Sequence, residues 1–121
     1  MYFQVMAAAA FMVAAVPAMA AEVAISISIP VTGDVSVNST STTYDCAGRE
    51  VTATYINAGE VSLAVLGIDG ETVVASNVVA ASGARYTGGR YIWWTKGDEV
   101  ALYDLMDGGD ETPAAHCIAA K

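Results

Sequence analysis

The basic side chains of this sequence are concentrated in one window. Residues 72–97 contain no Asp or Glu, while Arg85, Arg90 and Lys96 give the window a charge of +3. The chain of 121 residues has 13 acidic and 5 basic residues and carries −8 overall, so the remainder carries −11. An acidic body attracts a basic partner over long range, and a cationic segment fits where that partner is negative. A plainer interpretation is that the three cations relieve self-repulsion on a solvated face.

The same window is rich in aromatic and hydrogen-bonding side chains. Tyr, Trp and Arg dominate the residues that carry most binding energy in protein interfaces. Between residues 91 and 95 the side chains alternate, which predicts that one of Trp93 and Trp94 lies in the core and the other is partly exposed. We therefore expect the aromatic residues on one side of this segment to be structural, whether or not those on the other side bind a partner. The relevant residues are Ser82, Tyr86, Tyr91, Trp93, Trp94, Thr95 and Lys96.

Two residue pairs could suggest catalysis, and neither is favoured. Ser82 and Lys96 could form a Ser–Lys hydrolase dyad, which would require a desolvated lysine and an oxyanion hole. His116 and Cys117 are adjacent, and adjacent residues of an extended strand point to opposite faces, so they could not engage each other there. We therefore expect a binding protein and not an enzyme.

Composition also restricts the partners. A net charge of −8 argues against nucleic acid, which requires a basic face. Two cysteines and one histidine are too few for a zinc site with three or four N/S ligands, although carboxylates could still bind calcium. We expect no cofactor. One function that the aromatic residues allow is a module that binds peptidoglycan or another carbohydrate, with Trp93 or Trp94 as a stacking platform.

The N-terminal residues resemble an export signal. Residues 1–20 are uncharged, residues 6–16 form an apolar run, and Pro17 precedes the small-x-small pattern Ala18–Ala20. This predicts a signal peptide over 1–20 with cleavage after Ala20, and no membrane association afterwards. An uncleaved membrane anchor is the alternative. In an oxidising compartment Cys46 and Cys117 are expected to form a disulfide, which stabilises a small domain.

The mature sequence is predicted to be almost entirely β-strand. Residues 24–29 alternate with a period of two and predict a strand, whereas 38–43 is polar and predicts a linker. This divides the chain into an N-terminal extension over 21–43 and a compact domain over 44–121. Short segments between Gly-rich turns predict an antiparallel meander that closes into a small barrel. On one of these segments we expect Val61, Leu63 and Val65 to face inward.

Two short motifs then resemble a known family. Residues 81–86 match an S-G-x-x-Y motif, and residues 94–99 match a W-T-K-G motif followed by an acidic residue. Tyr44-Asp45-Cys46, the strand from Val51 to Asn57 and the placement of Cys117 are similar to the remainder of the pattern. The two motifs in this order, between two cysteines, resemble the bacterial C-type lysozyme inhibitors (MliC and PliC proteins) over residues 44–118.

The resemblance implies a fold, a partner and a site. It implies an all-β fold, a small flattened antiparallel barrel of about eight strands with a Cys46–Cys117 disulfide. It implies that the segments Ser82–Tyr86 and Tyr91–Gly97 enter the catalytic cleft of C-type lysozyme. Ser82 would hydrogen-bond the catalytic carboxyl groups there, and Lys96 would pair with them. Arg85, Tyr86, Tyr91 and Thr95 would lie around these contacts. Because no lipobox cysteine is present, the resemblance also implies a soluble periplasmic member.

Overall fold

Over the residues that the structure describes, eight antiparallel strands form the fold. The structure is a computed structural model that describes residues 8–15 and 23–121. The strands are β1 (Val37–Cys46), β2 (Arg49–Ala58), β3 (Val61–Ile68), β4 (Glu71–Val78), β5 (Ala84–Gly88), β6 (Tyr91–Lys96), β7 (Glu99–Asp104) and β8 (Ala115–Ala119). Each strand pairs with the next, and β8 returns to β1 to close a barrel. The all-β barrel of eight strands is therefore confirmed.

The barrel interior is built around an indole. Trp93 is fully buried, and its Nε1–H donates to the Tyr55 hydroxyl at 2.8 Å. That hydroxyl also bonds the hydroxyl of Tyr44 at 2.8 Å, and the Tyr44 ring meets Trp93 edge-on with centroids 5.1 Å apart. Burial raises the pKa of Tyr55, so its hydroxyl stays neutral within this network. The polar atoms of these three aromatic side chains are therefore hydrogen-bonded to one another, as burial in an apolar interior requires.

The disulfide closes the seam of the barrel. Cys46 near the end of β1 lies opposite Cys117 of β8 in the strand register, and the two sulfurs are bonded. Both residues are fully buried. The predicted Cys46–Cys117 pairing is confirmed, and it joins the first and last strands of the barrel covalently.

The predicted inward face of β3 is wrong. Ala64, Leu66 and Ile68 are fully buried, whereas Val61, Leu63 and Val65 face outward. Both faces of this strand are apolar, so alternation alone does not identify the inner one. The register decides it, because Leu66 lies opposite Ala53, which β2 turns into the core. Residues directly opposite each other in a sheet share a face.

Two assignments near the N-terminus are also wrong. Residues 24–29 form no strand and are exposed, since alternation supplies an apolar face but not a neighbouring strand. Residues 38–43 are not a linker but lie in β1, where Thr and Ser pair well across a sheet, as in the 2.8 Å bond between Ser41 Oγ and Thr54 Oγ1.

The predicted signal peptide lies mostly outside the described residues, and its cleavage point after Ala20 lies wholly outside them. Residues 8–15 are exposed and form neither helix nor strand. Over residues 8–15 and 23–121, no helix is long and apolar enough to span a membrane.

Candidate functional site

The pairing of β5 with β6 brings the two motif segments together. Ala84 lies opposite Thr95, and Arg85 lies opposite Trp94. Ser82 comes two residues before β5, and Lys96 is the last residue of β6. Both residues therefore lie at the same end of one strand pair, and both are exposed. The two motif segments are therefore neighbours on the surface of the molecule.

Gly83 allows the first segment to pack directly on the second. Its φ is +66°, which L residues rarely adopt. A Cβ at this position would collide with the carbonyl oxygen of Thr95 and lie 2.9 Å from Lys96 Cγ. The glycine of the S-G-x-x-Y motif is therefore required by close backbone contact, and this contact places Ser82 next to the end of β6.

Trp94 holds the two segments from the outer face of the sheet. Its Nε1–H donates to the Ser82 carbonyl at 2.8 Å. The same ring has Lys96 Nζ 5.1 Å from its centroid and the Arg85 guanidinium carbon 5.6 Å from it. These distances are within the range of cation–π attraction. One indole thus orients the Ser82 loop and both neighbouring cations.

The three cations of the basic window are not equivalent. Arg90 forms a bidentate pair with Asp104 through bonds of 2.7 and 2.8 Å, and this hydrogen bonding lowers the pKa of the Asp104 carboxyl. Over residues 8–15 and 23–121, neither Arg85 nor Lys96 has an ion-pair partner. The charge available to a partner is therefore +2, on Arg85 and Lys96.

The remaining sequence-predicted site residues divide into surface and core. Thr95 is half-buried, and its hydroxyl donates to the Ala84 carbonyl at 3.3 Å, an additional link between β5 and β6. Tyr86 and Tyr91 are only 6% and 8% exposed and belong to the hydrophobic core. They support the two segments from below and offer little surface. The expectation for the tryptophans is confirmed, since Trp93 is buried and Trp94 is partly exposed.

Comparison with known proteins identifies the family to which this architecture belongs. The family model described as membrane-bound lysozyme-inhibitor of c-type lysozyme, MliC, matches residues 44–111. The chain belongs to the MliC family. The matched region includes both motif segments and Cys46, whereas Cys117 lies beyond it.

Two curated MliC relatives are similar over most of this chain. The membrane-bound lysozyme inhibitor of C-type lysozyme from Pseudomonas aeruginosa is 47% identical over 87 residues, 70% of this chain and 68% of the relative. The protein with the same description from Cupriavidus necator is 49% identical over 78 residues, 63% of this chain and 62% of the relative.

A solved structure of the MliC family has the same fold. It is the crystal structure of Pseudomonas aeruginosa MliC in complex with hen egg white lysozyme. The TM-score is 0.65 at 40% identity, and the match covers 82% of this chain and 100% of that chain.

Membership of the MliC family assigns a binding and inhibitory role in place of catalysis, and the site geometry agrees. Lys96 is the last residue of β6 and is exposed to solvent, whereas a Ser–Lys dyad requires a desolvated lysine. Cys117 is consumed by the disulfide, so it provides no thiolate for a Cys–His pair.

Sequence reasoning missed a groove beside Lys96. It has a volume of about 540 Å³ and runs across the outer side of β6, β7 and β8. Its lining includes Trp94, Lys96, Glu99, Tyr103, Pro113 and His116. These residues come from three strands and a loop, and no local pattern in the sequence links them. The groove extends the motif surface of this MliC-family chain away from Ser82.

Proposed function

We propose that this protein inhibits C-type lysozyme by inserting the segments Ser82–Tyr86 and Tyr91–Gly97 into the catalytic cleft. The observation that carries the proposal is the joint presentation of Ser82 and Lys96. Both are exposed at one end of the β5–β6 pair, and Gly83 and Trp94 fix them there. Such a preorganised pair loses little conformational freedom on binding, which favours affinity.

The chemistry of the two side chains matches a lysozyme cleft. Glycosidases of this kind use one protonated and one ionised carboxyl group on either side of the scissile bond. The Lys96 ammonium has three donors and can pair with the ionised group while donating to the other. The Ser82 hydroxyl can donate to one carboxyl oxygen and accept from the protonated acid. The block is steric and electrostatic, with no covalent step.

The charge distribution supports the approach of such an enzyme. Outside residues 72–97 the chain carries −11, which attracts a basic protein at long range. At contact, Lys96 and Arg85 meet the negative cleft, and among the described residues neither has an ion-pair partner that must first be displaced. Mature C-type lysozymes with a basic surface are therefore the expected targets, and association should slow as salt is added.

Titration of lysozyme activity tests this function. The protein, without residues 1–20, is added to hen egg white lysozyme acting on a suspension of bacterial cell walls, and the turbidity is followed. We expect lysis to stop near one equivalent of inhibitor. Unchanged lysis at a large molar excess would contradict the proposed function, provided that circular dichroism shows the barrel is folded.

The structure favours inhibition over carbohydrate binding. A stacking platform needs an aromatic face that is free to meet a sugar. Trp93 is fully buried, and the Trp94 ring is already approached by Arg85 and Lys96. We therefore expect no retention on insoluble cell wall in the absence of lysozyme, and a pull-down with purified peptidoglycan measures this.

We further propose that the protein acts in the periplasm after export. The family is described as membrane-bound, so attachment to the membrane is the competing location. The uncharged, alanine-rich residues 1–20 support cleavage after Ala20. Mass spectrometry of the protein purified from periplasmic and membrane fractions separates the two outcomes, since cleavage predicts a chain that begins at Ala21.

Gly83→Ala is expected to abolish most inhibition while leaving the barrel folded. The new Cβ collides with the Thr95 carbonyl, so the Ser82 loop must move away from β6. We expect the inhibition constant to rise at least tenfold, about 1.4 kcal/mol. The matched control is Gly89→Ala, because Gly89 also has a positive φ, +55°, but its Cβ would meet nothing within 4 Å. Equal inhibition by both variants would contradict the role of the Gly83 contact.

Trp94→Phe and Trp94→Leu separate the two roles of the indole. Phenylalanine keeps an aromatic face for Lys96 and Arg85 but loses the bond to the Ser82 carbonyl, whereas leucine loses both. Loss of one hydrogen bond costs about 1 kcal/mol, so Phe should weaken inhibition about fivefold and Leu more. Inhibition constants and melting temperatures are measured together. If the loss of inhibition only follows the loss of thermal stability, the positioning role is refuted.

A further inference from the structure

Within residues 8–15 and 23–121, one long edge of β1 has no neighbouring strand. β1 pairs with β2 along its whole length, from Val37 opposite Ala58 to Cys46 opposite Arg49. On its other side it pairs with β8 only through Tyr44, Asp45 and Cys46, and the N–H of Ala120 bonds the Thr43 carbonyl. Among the described residues, no strand lies beyond this point, and residues 37–41 are exposed. The edge over residues 37–42 is therefore open.

The strand geometry shows which backbone groups face the open side. In an antiparallel ladder, successive residues direct their N–H and C=O groups to opposite edges. The Thr43 carbonyl is directed towards β8, so the odd-numbered residues Val37, Ser39 and Ser41 direct their groups the same way. The even-numbered residues are engaged with β2. The N–H and C=O groups of these three odd-numbered residues, six groups in all, are therefore exposed to water.

This edge lacks the features that normally prevent pairing between molecules. Natural edges are protected by charged residues, proline or bulges. Residues 35–44 contain neither a charge nor a proline, in a chain that carries −8. A second open stretch, residues 71–75 of β4 on its β5 side, differs. It carries Glu71, and Gly88 packs against the Val74 carbonyl there. The β1 edge is the better docking surface.

We propose that this β1 edge pairs antiparallel with the same edge of a second copy of the chain. The pairing is centred on Thr40 and places Ser39 opposite Ser41 of the second copy. The outer faces of the two β1 strands then lie on the same side of the joined sheet. It supplies four backbone hydrogen bonds across a two-fold axis. A second copy suits the edge because both strands are uncharged at this position, so two acidic molecules meet where their repulsion is lowest. An isologous contact closes at two molecules.

The pairing is expected to be weak and concentration-dependent. Ala120 occupies the position opposite Thr43, so the shared ladder is short. Such a ladder buries less surface than the roughly 1,200 Å² of a stable interface. Exposed apolar side chains beside it, among them Val37 at 68% exposure, add some burial. The protein should therefore exist as monomer and dimer in exchange.

Sedimentation velocity over a concentration series tests the proposal without lysozyme. The wild-type average mass should rise from monomer towards dimer. Ser39→Pro removes an N–H that faces the open side and spares the bonds to β2, so it should remain monomeric. Ser39→Ala is the matched control and should behave as wild type. A wild-type protein that stays monomeric at its highest soluble concentration overturns the proposal.

A second variant keeps the test valid if proline disturbs the fold. Thr40→Lys places two like charges opposite each other on the two-fold axis, which is unfavourable for a cross-strand pair. It should also remain monomeric, with an unchanged circular dichroism spectrum. If both Ser39→Pro and Thr40→Lys still dimerise, the two copies meet through another surface and the proposal is overturned. Because lysozyme inhibition is measured separately, failure here leaves the proposed function standing.

Discussion

Replacing Lys96 with methionine is expected to weaken lysozyme inhibition by about 30- to 1,000-fold. Methionine keeps the length and much of the apolar stem but removes the ammonium that we propose to pair with the cleft carboxyl groups. Truncating one partner of a desolvated charged pair costs about 2–4 kcal/mol, because the remaining charge is left buried and unpaired. The inhibition constant is measured from progress curves of cell-wall lysis at fixed ionic strength.

Lys121→Met is the matched control for Lys96→Met. The chain has only these two lysines, and Lys121 is also exposed but lies at the C-terminus, beyond β8. Both variants lower the positive charge by one, so both change long-range steering similarly. Only Lys96→Met should raise the dissociation rate. Equal effects of the two substitutions would reduce the role of Lys96 to net charge and contradict its contact with the cleft.

Replacing Cys46 and Cys117 together with alanine is expected to cause the largest loss of stability. The disulfide joins residues 71 apart in sequence, and in the chain-entropy model a loop of this length stabilises by about 4 kcal/mol. Small domains unfold with only about 5–15 kcal/mol in total, so the loss is a large share. Urea denaturation of the oxidised wild type and the double variant measures the difference.

Cysteine chemistry provides the control for the double variant. Reduction of the wild type with a thiol reagent should lower the denaturation midpoint to nearly that of the variant, and it should not change the midpoint of the variant itself. A variant within about 1 kcal/mol of the wild type would mean that strand pairing alone closes the β1–β8 seam.

The barrel and its covalent closure could be predicted from sequence, whereas some strand faces could not. In β2, Val51 and Ala53 alternate with the polar Thr52 and Thr54, and this alternation distinguishes the face that is buried. In β3 both faces are apolar, and only the pairing of Leu66 with Ala53 separates them. β5 is short and contains Arg85, so it gave no strand signal and depends on β6 for its formation.

In the candidate site, too, some features could be predicted from the sequence and others could not. The resemblance of the two motifs to the lysozyme inhibitors implied that Ser82 and Lys96 share one binding surface. The indole bond from Trp94 to the Ser82 carbonyl and the contact of Gly83 with Thr95 depend on pairing between strands that local sequence does not encode. Neutralisation of Arg90, in the turn between β5 and β6, by Asp104 of β7 likewise depends on a contact between separate elements. The window of +3 therefore presents fewer free charges than its sequence suggests.

Competition with a cleft ligand shows whether the inhibitor occupies the catalytic cleft of lysozyme. The binding of wild-type protein to hen egg white lysozyme is measured by titration calorimetry with increasing amounts of an N-acetylglucosamine oligosaccharide that occupies the catalytic cleft. Insertion of Ser82 and Lys96 into that cleft predicts that the apparent affinity falls in proportion to cleft occupancy. An affinity that is unchanged when the oligosaccharide saturates the enzyme would mean that the inhibitor binds outside the cleft, and the proposed insertion of Ser82 and Lys96 would be refuted.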